Sequence, residues 1–200
     1  MKGSAVVIAT LAATTLLYAQ VPATQAPDPS RDLIVKICTT DYFDRNSRCE
    51  TRQFLEKRGN DFVYFVQQEG TDEKGELVLT DNLSTKLRPF PPATYEPHSY
   101  FLQFPLENGR TWKGTFDQTS GSEKHNRTRT ARVTGYVDLA LKAGTFKAFR
   151  IDAYNQWNQA TRPAVERYHY CTELSMICQY ESREFDMKQE VVEVKKAVRQ

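Results

Sequence analysis

The chain has 200 residues, with 27 Lys and Arg against 25 Asp and Glu, and a formal net charge of +2. This near-balance of charge argues against a dedicated nucleic-acid-binding protein, since such proteins carry a strong positive excess. The length suits a single domain with a sizeable hydrophobic core.

Residues 1–19 have the pattern of a secretory signal peptide. Lys2 supplies a positive charge, an uncharged apolar stretch follows it, and Ala19 marks the expected cleavage site. The apolar stretch is shorter than the ~20 residues that a membrane-spanning helix needs. We therefore favour a signal peptide over a membrane anchor, and we expect a periplasmic or secreted protein with no membrane span after cleavage. Residues 20–31 are proline-rich and are predicted to be a disordered lead-in to a single β-rich domain at 32–200.

Four cysteines, Cys38, Cys49, Cys171 and Cys178, lie in the exported part. An even number of cysteines in an oxidising compartment indicates two disulfides. Three pairings are possible, and we favour the local pairs Cys38–Cys49 and Cys171–Cys178. The spacing does not match that of a zinc site. We therefore expect neither a metal nor a cofactor.

Regularly spaced turn signals predict a mainly β protein. We expect a single antiparallel β domain of roughly eight to eleven strands, arranged as a meander, open barrel, half-barrel or sandwich. Residues 62–66 are continuous in aromatic and β-branched side chains, as in a central strand. Residues 187–200 fit a helix or a strand, and we favour a final edge strand because valine prefers strands. The residues expected to be mostly buried are Phe62, Tyr64, Trp112, Val137, Leu139, Phe149, Ile151 and Trp157.

Residues 88–105 combine five prolines with interleaved aromatic side chains. Proline cannot donate to a β-ladder, so this segment is not a central strand throughout. It forms either an aromatic wall of a ligand groove or an extended crossover whose aromatic side chains cap the core, and we favour the crossover. The candidate ligand-contact residues are Phe90, Tyr95, Tyr100 and Phe101.

Two hairpins have registers that the sequence predicts. In the first, a three-residue loop at 143–145 merges the apolar faces of both strands, whereas a two-residue loop separates them. The expected pairs are Leu139 with Phe149, Val137 with Ile151 and Asp138 with Arg150. In the second hairpin, a turn centred on residues 174–175 sets Cys171 opposite Cys178 and Glu166 beside Arg183.

Positive charge is concentrated at Lys124, Arg127, Arg129 and Arg132, with threonines between them. We favour a solvated outer face of a strand, given the overall charge balance. Contact with an anion or a polysaccharide is the alternative.

The sequence contains no recognisable catalytic motif such as G-x-S-x-G or H-E-x-x-H. His169 with Glu166 and Glu173 is a weak candidate for acid–base chemistry. Our leading hypothesis is therefore an exported, non-catalytic protein that binds an envelope component, a protein partner or an apolar small molecule. The alternative is a secreted hydrolase of cell-wall or polysaccharide material, in which the three residues converge in a pocket and the basic strand steers an anionic substrate.

The segment from Phe104 to Trp112 resembles the fPL-x-x-G-x-x-W signature of certain exported bacterial domains of unknown function. The similarity continues through Gly135-Tyr136-Val137 and the AGTF-x-A-x-x-I pattern of residues 143–151, and it covers roughly residues 75–185. At Arg167–Cys171, Tyr168 replaces the tryptophan of the usual WY-x-P strand, and the proline is absent. The resemblance implies a β-rich meander or half-barrel in the periplasm or envelope, with no established activity and no catalytic set.

Overall fold

The computed structural model describes residues 23–43, 45–183 and 186–197, so the predicted signal peptide lies outside the described residues. Within these ranges the regular secondary structure consists of twelve β-strands. Their bounds are β1 Leu33–Asp41, β2 Ser47–Arg58, β3 Asp61–Gln68, β4 Lys74–Leu79, β5 Thr85–Arg88, β6 Ala93–Glu96, β7 Thr111–Ser120, β8 Glu123–Leu141, β9 Gly144–Trp157, β10 Ala164–Cys171, β11 Met176–Ser182 and β12 Met187–Lys196.

The strands form one antiparallel meander that closes into a barrel through pairing of β12 with β1. The predicted mainly β, antiparallel fold is confirmed. The predicted open barrel or half-barrel differs from the structure, in which the barrel is closed. The predicted eight to eleven strands are fewer than the twelve of the described residues. The C-terminal segment is a strand, as predicted. It is not an edge strand, because it pairs with both β1 and β11. Closure gives every strand two neighbours, which removes the unpaired backbone groups of an edge.

The barrel has two different ends. We call one end the mouth and the other the closed end. The mouth carries the described loop residues 42–43, 45–46, 69–73, 89–92, 121–122, 158–163, 183 and 186. The closed end carries the start of β1, the end of β12 and residues 97–106 of the connection between β6 and β7, which we call the plug.

The plug fills the interior of the barrel at the closed end. Leu102 and Leu106 are 1% and 0% exposed and belong to the main hydrophobic core. The Ser84 hydroxyl donates to the Leu102 carbonyl at 3.0 Å and accepts the Leu102 N–H at 3.1 Å. The loop between β4 and β5 thereby satisfies backbone groups of a buried, non-strand segment, as burial of polar groups requires.

Two aromatic side chains of the wall also bind the backbone of the plug. The indole N–H of Trp112 donates to the Tyr100 carbonyl at 3.0 Å, and the Tyr168 hydroxyl donates to the Phe101 carbonyl at 2.6 Å. Each such hydrogen bond stabilises the fold by about 0.5–1.5 kcal/mol. Phe101 and Phe104 also pack against the main core, so this part of the proline-rich segment is a connection whose aromatic side chains cap the core, as expected.

The lead-in predicted as disordered at 20–31 is described from Ala23 onward. Ala23 exchanges two backbone hydrogen bonds with Leu106, at 3.1 and 2.8 Å, and Pro29 is buried. The described part of the lead-in thus contacts the closed end.

The core contains most of the residues expected there. Residues 62–64 and 66 are buried in β3, which lies between β2 and β4 as predicted for a central strand. Trp112, Phe149 and Ile151 are also buried. The prediction is wrong for three residues that are only half-buried, Val137, Leu139 and Trp157.

The β8–β9 hairpin does not have the predicted three-residue loop. Its two-residue turn at 142–143 pairs Leu139 with Phe146 and Val137 with Ala148, and Asp138 pairs with Lys147 rather than Arg150. A bulge between Val133 and Gly135 then restores the match of Val133 with Ile151. The apolar faces merge beyond the bulge, an irregularity that period-two reasoning cannot place.

The predicted register of the β10–β11 hairpin is also wrong. Cys171 pairs with Met176 across the turn at 172–175. Beyond a bulge after His169, Glu166 pairs with Ser182 rather than lying beside Arg183. The structure nevertheless contains both favoured disulfides, Cys38–Cys49 and Cys171–Cys178. The Cys171 and Cys178 Cα atoms are 5.8 Å apart, within the range that a disulfide spans.

Gly114 allows the plug to pack directly on the wall. A Cβ atom at this position would lie 2.2 Å from the ring of Tyr100, whereas a Cβ atom at Gly135 would meet nothing closer than 3.8 Å. We expect Gly114→Ala to lower the free energy of unfolding by about 1–3 kcal/mol through overpacking. The matched Gly135→Ala variant should be neutral or slightly more stable, because alanine lowers the entropy of the unfolded chain. Urea unfolding of both variants is the measurement, and equal stabilities would show that Tyr100 is not packed on β7.

Candidate functional site

The barrel encloses a cavity of about 770 Å³ between the mouth and the plug. Exposed residues of the mouth loops, including Glu73, Pro91 and Pro92, line its outer part. Phe101 of the plug lines its inner part. The cavity is therefore open to solvent at the mouth and blocked at the closed end.

Three of the four candidate ligand-contact aromatics line this cavity. Phe90 and Tyr95 come from the proline-rich connection around β6, and Phe101 comes from the plug. Tyr100 does not line the cavity, because its ring packs against Gly114 and the imidazole of His98. The structure thus brings most of the predicted set together, on the inside of a barrel rather than along an outer groove.

One wall of the cavity is apolar. It is formed largely by β3, β4 and the loop after β4, where strand alternation points every second side chain inward. Tyr64, Leu77, Leu79 and Leu83 lie on this wall and are buried. Burial raises the pKa of Tyr64, so its hydroxyl stays protonated and neutral at ordinary pH.

The facing wall carries a buried ionic cluster. Arg129 and Glu166 are 3% and 2% exposed, and the Arg129 Nη2 atom lies 3.0 Å from Glu166 Oε2. Asn155 Nδ2 and the Tyr180 hydroxyl each donate to Glu166 Oε1 at 3.0 Å. Arg129 Nη1 also donates to the Ser99 carbonyl of the plug. The carboxylate is thus held by three donors from three different strands.

Burial and the charge of Glu166 both shift the pKa values of this cluster. Burial is the largest single influence on Arg129 and lowers its pKa, but Glu166 and the neighbouring tyrosines together outweigh burial, so the net pKa of Arg129 is raised and the guanidinium stays charged. The pKa of Tyr180 is raised, first by burial and then by the Glu166 charge, which keeps the hydroxyl protonated as a donor. The cluster is therefore a fixed ion pair with neutral hydrogen-bond donors.

Arg127 lies two residues from Arg129 on the same face of β8 and also lines the cavity. Its guanidinium stacks on the Trp157 ring with 4.2 Å between the charged carbon and the ring centroid. Burial lowers the pKa of Arg127. Among the described residues, no carboxylate lies within ion-pair distance of this side chain.

The interpretation of the basic segment as a solvated outer face is wrong for Arg127 and Arg129. Their parity continues through Ala131 into Val133, both of which are buried. The outward face of β8 carries Arg132 instead. The signal was in the sequence, since the parity of Val133 extends back to the two arginines, but a charged side chain inside a barrel contradicts the usual burial preference.

The structure does not assemble the candidate hydrolase residues. Glu166 points into the cavity, His169 lies on the opposite face of β10, and Glu173 is exposed in the turn after β10. His169 is 7% exposed and pairs across the sheet with Gln179. No carboxylate of the described residues lies within hydrogen-bond distance of its ring. The convergence that the hydrolase hypothesis requires is therefore not found among these three residues.

His169 is buried on the outer face of the sheet, and the end of the β8–β9 hairpin reaches this face two strands away. Lys142 at the tip of this hairpin lies 3.9 Å from Glu190 of β12, which is in line with Gln179 and His169 across the sheet. The hairpin end thus lies over the outer face of β10–β12. Burial, together with the charges of Arg167 and Arg150, lowers the pKa of His169 from 6.5 to about 4.

This shift makes the stability depend on pH. Because the folded protein holds His169 neutral, its contribution is complete above pH 6.5 and is lost as the pH falls from 6.5 to about 4. As the pH falls from 6.5 to about 4, we expect the free energy of unfolding of the wild type to fall by on the order of 2 kcal/mol more than that of His169→Gln. Urea unfolding at several pH values measures the effect, and parallel profiles for variant and wild type would contradict it.

Neither a metal centre nor a spanning helix is found in the described part of the chain. No group of three or more His, Cys, Asp or Glu side chains within it is arranged to hold a metal ion. Over the same residues, no helix has the length and apolarity needed to cross a membrane.

No protein-family model and no curated protein matches the chain. Its fold is similar to two solved structures. One, from Bacteroides fragilis, is described as a "putative exported protein with YmcC-like fold". It has 11% identity and a TM-score of 0.59, with 87% of this chain and 100% of that chain covered. The other, from Parabacteroides distasonis, is described as a "putative lipoprotein", with 10% identity, a TM-score of 0.52, and 86% and 99% coverage. At these identities the similarity shows the fold alone.

Proposed function

We propose that this protein is an exported, non-catalytic binding protein that holds an apolar small molecule inside its barrel. The observation that carries the proposal is the cavity of about 770 Å³, open at the mouth and blocked by the plug. Small-molecule sites have volumes of about 300–1,000 Å³ and combine apolar walls with a few fixed polar groups. The leucines of β4 and the Glu166–Arg129 cluster supply both.

Export is supported by three separate observations. The sequence begins with a predicted signal peptide, the structure contains two disulfides, and the two proteins of similar fold are described as exported or as a lipoprotein. Disulfides persist in oxidising compartments such as the periplasm. We therefore place the protein in the periplasm, in the envelope or outside the cell.

The interior of the barrel favours a small ligand over the other partners considered. The predicted aromatics Phe90, Tyr95 and Phe101 point to the cavity rather than forming an exposed patch for a protein partner. The hydrolase hypothesis has no observation in its favour, since His169 and Glu166 lie on opposite faces of β10. An apolar small molecule is the occupant that fits best.

A tryptophan placed in the cavity tests the proposal. Leu77→Trp adds an indole on the apolar wall, whereas Val78→Trp adds the same group on the outer face of the same strand. With a fluorescent acyl-chain probe as ligand, we expect Leu77→Trp to weaken binding by about tenfold or more, which corresponds to about 1.4 kcal/mol. Val78→Trp should bind as the wild type does.

Circular dichroism first establishes that both variants remain folded. Equal affinity of the two folded variants would show that the probe binds outside the barrel. A wild-type protein that binds no acyl probe would remove the small-molecule proposal and leave a protein-interaction role.

A further inference from the structure

The charges inside the cavity do not balance. Glu166 is paired with Arg129, and Glu50 is paired with Arg52, with Arg52 Nε 2.6 Å from Glu50 Oε1. Three more guanidinium groups line the cavity without a carboxylate at ion-pair distance among the described residues, those of Arg48, Arg88 and Arg127. Arg48 is exposed and Arg88 donates to the Pro91 carbonyl, whereas the Nε–H of Arg127 is buried without an acceptor. A buried or half-buried cation without a counter-ion is costly, so such groups are normally paired.

Two buried hydrogen-bond donors on this side of the cavity also lack an acceptor. The Nε–H groups of Arg127 and Arg129 are both buried and have no acceptor in the described structure. They project from the same face of β8, two residues apart. Buried donors are satisfied in most proteins, and guanidinium groups bind carboxylate and phosphate oxygens with particular strength.

The position of Arg127 sets the direction of a bound molecule. Arg127 pairs with Phe116 and Trp157 near the start of β8, which is at the mouth. Leu79, at the end of β4, and Met176, at the start of β11, line the cavity near the closed end. A molecule with a charged head at Arg127 would therefore place its apolar chain toward the plug.

We propose that the ligand is an amphipathic anion, with one negatively charged head bound by Arg127 and an apolar chain along the apolar wall that contains Leu77 and Leu79. This inference rests on the proposed function and specifies its ligand class. Trp157 holds the guanidinium in place by stacking. The low pKa of Arg127 relative to a free guanidinium reflects burial, which an anion offsets.

Two probes of equal chain length distinguish the head from the chain. The probes are dodecanoate and 1-dodecanol, which differ by one charged group. We expect the wild-type protein to bind dodecanoate more tightly than 1-dodecanol by a factor of about ten or more. Arg127→Gln should reduce this preference to about threefold or less while leaving the affinity for 1-dodecanol unchanged, a loss of about 0.7 kcal/mol or more. Arg132→Gln, an exposed arginine on the outer face of the same strand, is the matched control and should keep the full preference.

Isothermal titration calorimetry of the full mature protein measures all three preferences. Equal binding of both probes by the wild type, with sensitivity to Leu77→Trp, overturns this inference and leaves the proposed function intact. Retention of the full preference in Arg127→Gln likewise removes Arg127 as the anion site. Binding of neither probe overturns both proposals. Dodecyl phosphate in place of dodecanoate shows whether the head prefers a phosphate or a carboxylate.

Discussion

Glu166→Gln is expected to lower the free energy of unfolding by about 3–5 kcal/mol, because it leaves the charge of Arg129 buried without a counter-ion. The substitution keeps the shape of the side chain and a carbonyl oxygen for Asn155 and Tyr180, so the lost charge dominates. Folded domains are stable by only about 5–15 kcal/mol, so this is a large fraction of the total. Urea unfolding at neutral pH gives the value.

A surface ion pair provides the matched control. Arg167 Nε lies 2.6 Å from Asp152 Oδ1, but both side chains are substantially exposed. Asp152→Asn should cost less than about 1 kcal/mol. A double variant, Arg129→Met with Glu166→Leu, should lose less stability than Glu166→Gln, since replacing both charges removes the uncompensated one. A loss below about 1 kcal/mol for Glu166→Gln would show that water reaches Arg129.

Leu102→Ala is expected to lower the free energy of unfolding by about 2–5 kcal/mol, the usual range for a buried leucine truncated to alanine. Leu102 is in the plug, in a segment with no regular secondary structure, yet it is 1% exposed. The large effect follows because the plug is part of the hydrophobic core and closes one end of the barrel.

Leu55→Ala is the comparison for this prediction. Leu55 lies in β2 but is 40% exposed, so its truncation removes little buried area and should change stability by about 0.5 kcal/mol or less. Thermal and urea unfolding of both variants measure the difference. Equal and small effects would mean that the plug is not packed inside the barrel in solution.

The class of fold could be predicted from the sequence because alternating strands and turn signals are local. The central strand at 62–66 and the two short-range disulfides follow from such local patterns. Closure of the barrel could not be predicted, because pairing of β1 with β12 joins segments about 150 residues apart and has no local signal. The predicted hairpin registers were wrong first because the turns lie at 142–143 and 172–175, away from the predicted positions. Bulges at Thr134 and after His169 then shift the pairing by one further residue.

The site could be predicted only in part. The aromatic side chains Phe90, Tyr95 and Phe101 stood out because prolines and aromatics were interleaved in one segment. Arg129 and Glu166 are separated by 37 residues, and the registers of β8 with β9 and of β9 with β10 bring them together. Residue statistics favour exposed arginines, so sequence reasoning placed the basic strand on the wrong side of the sheet.

The central claim is that an amphipathic molecule binds inside the barrel, and methyl-resolved NMR tests it most directly. The full mature protein, labelled at leucine, valine and methionine methyl groups, is titrated with dodecanoate. The account predicts chemical-shift changes at the cavity methyl groups of Leu77, Leu79 and Met176, with no change at the exposed Leu55 and Val165. Changes confined to Leu55 or Val165, or no change at the cavity methyl groups at saturating dodecanoate, would contradict it.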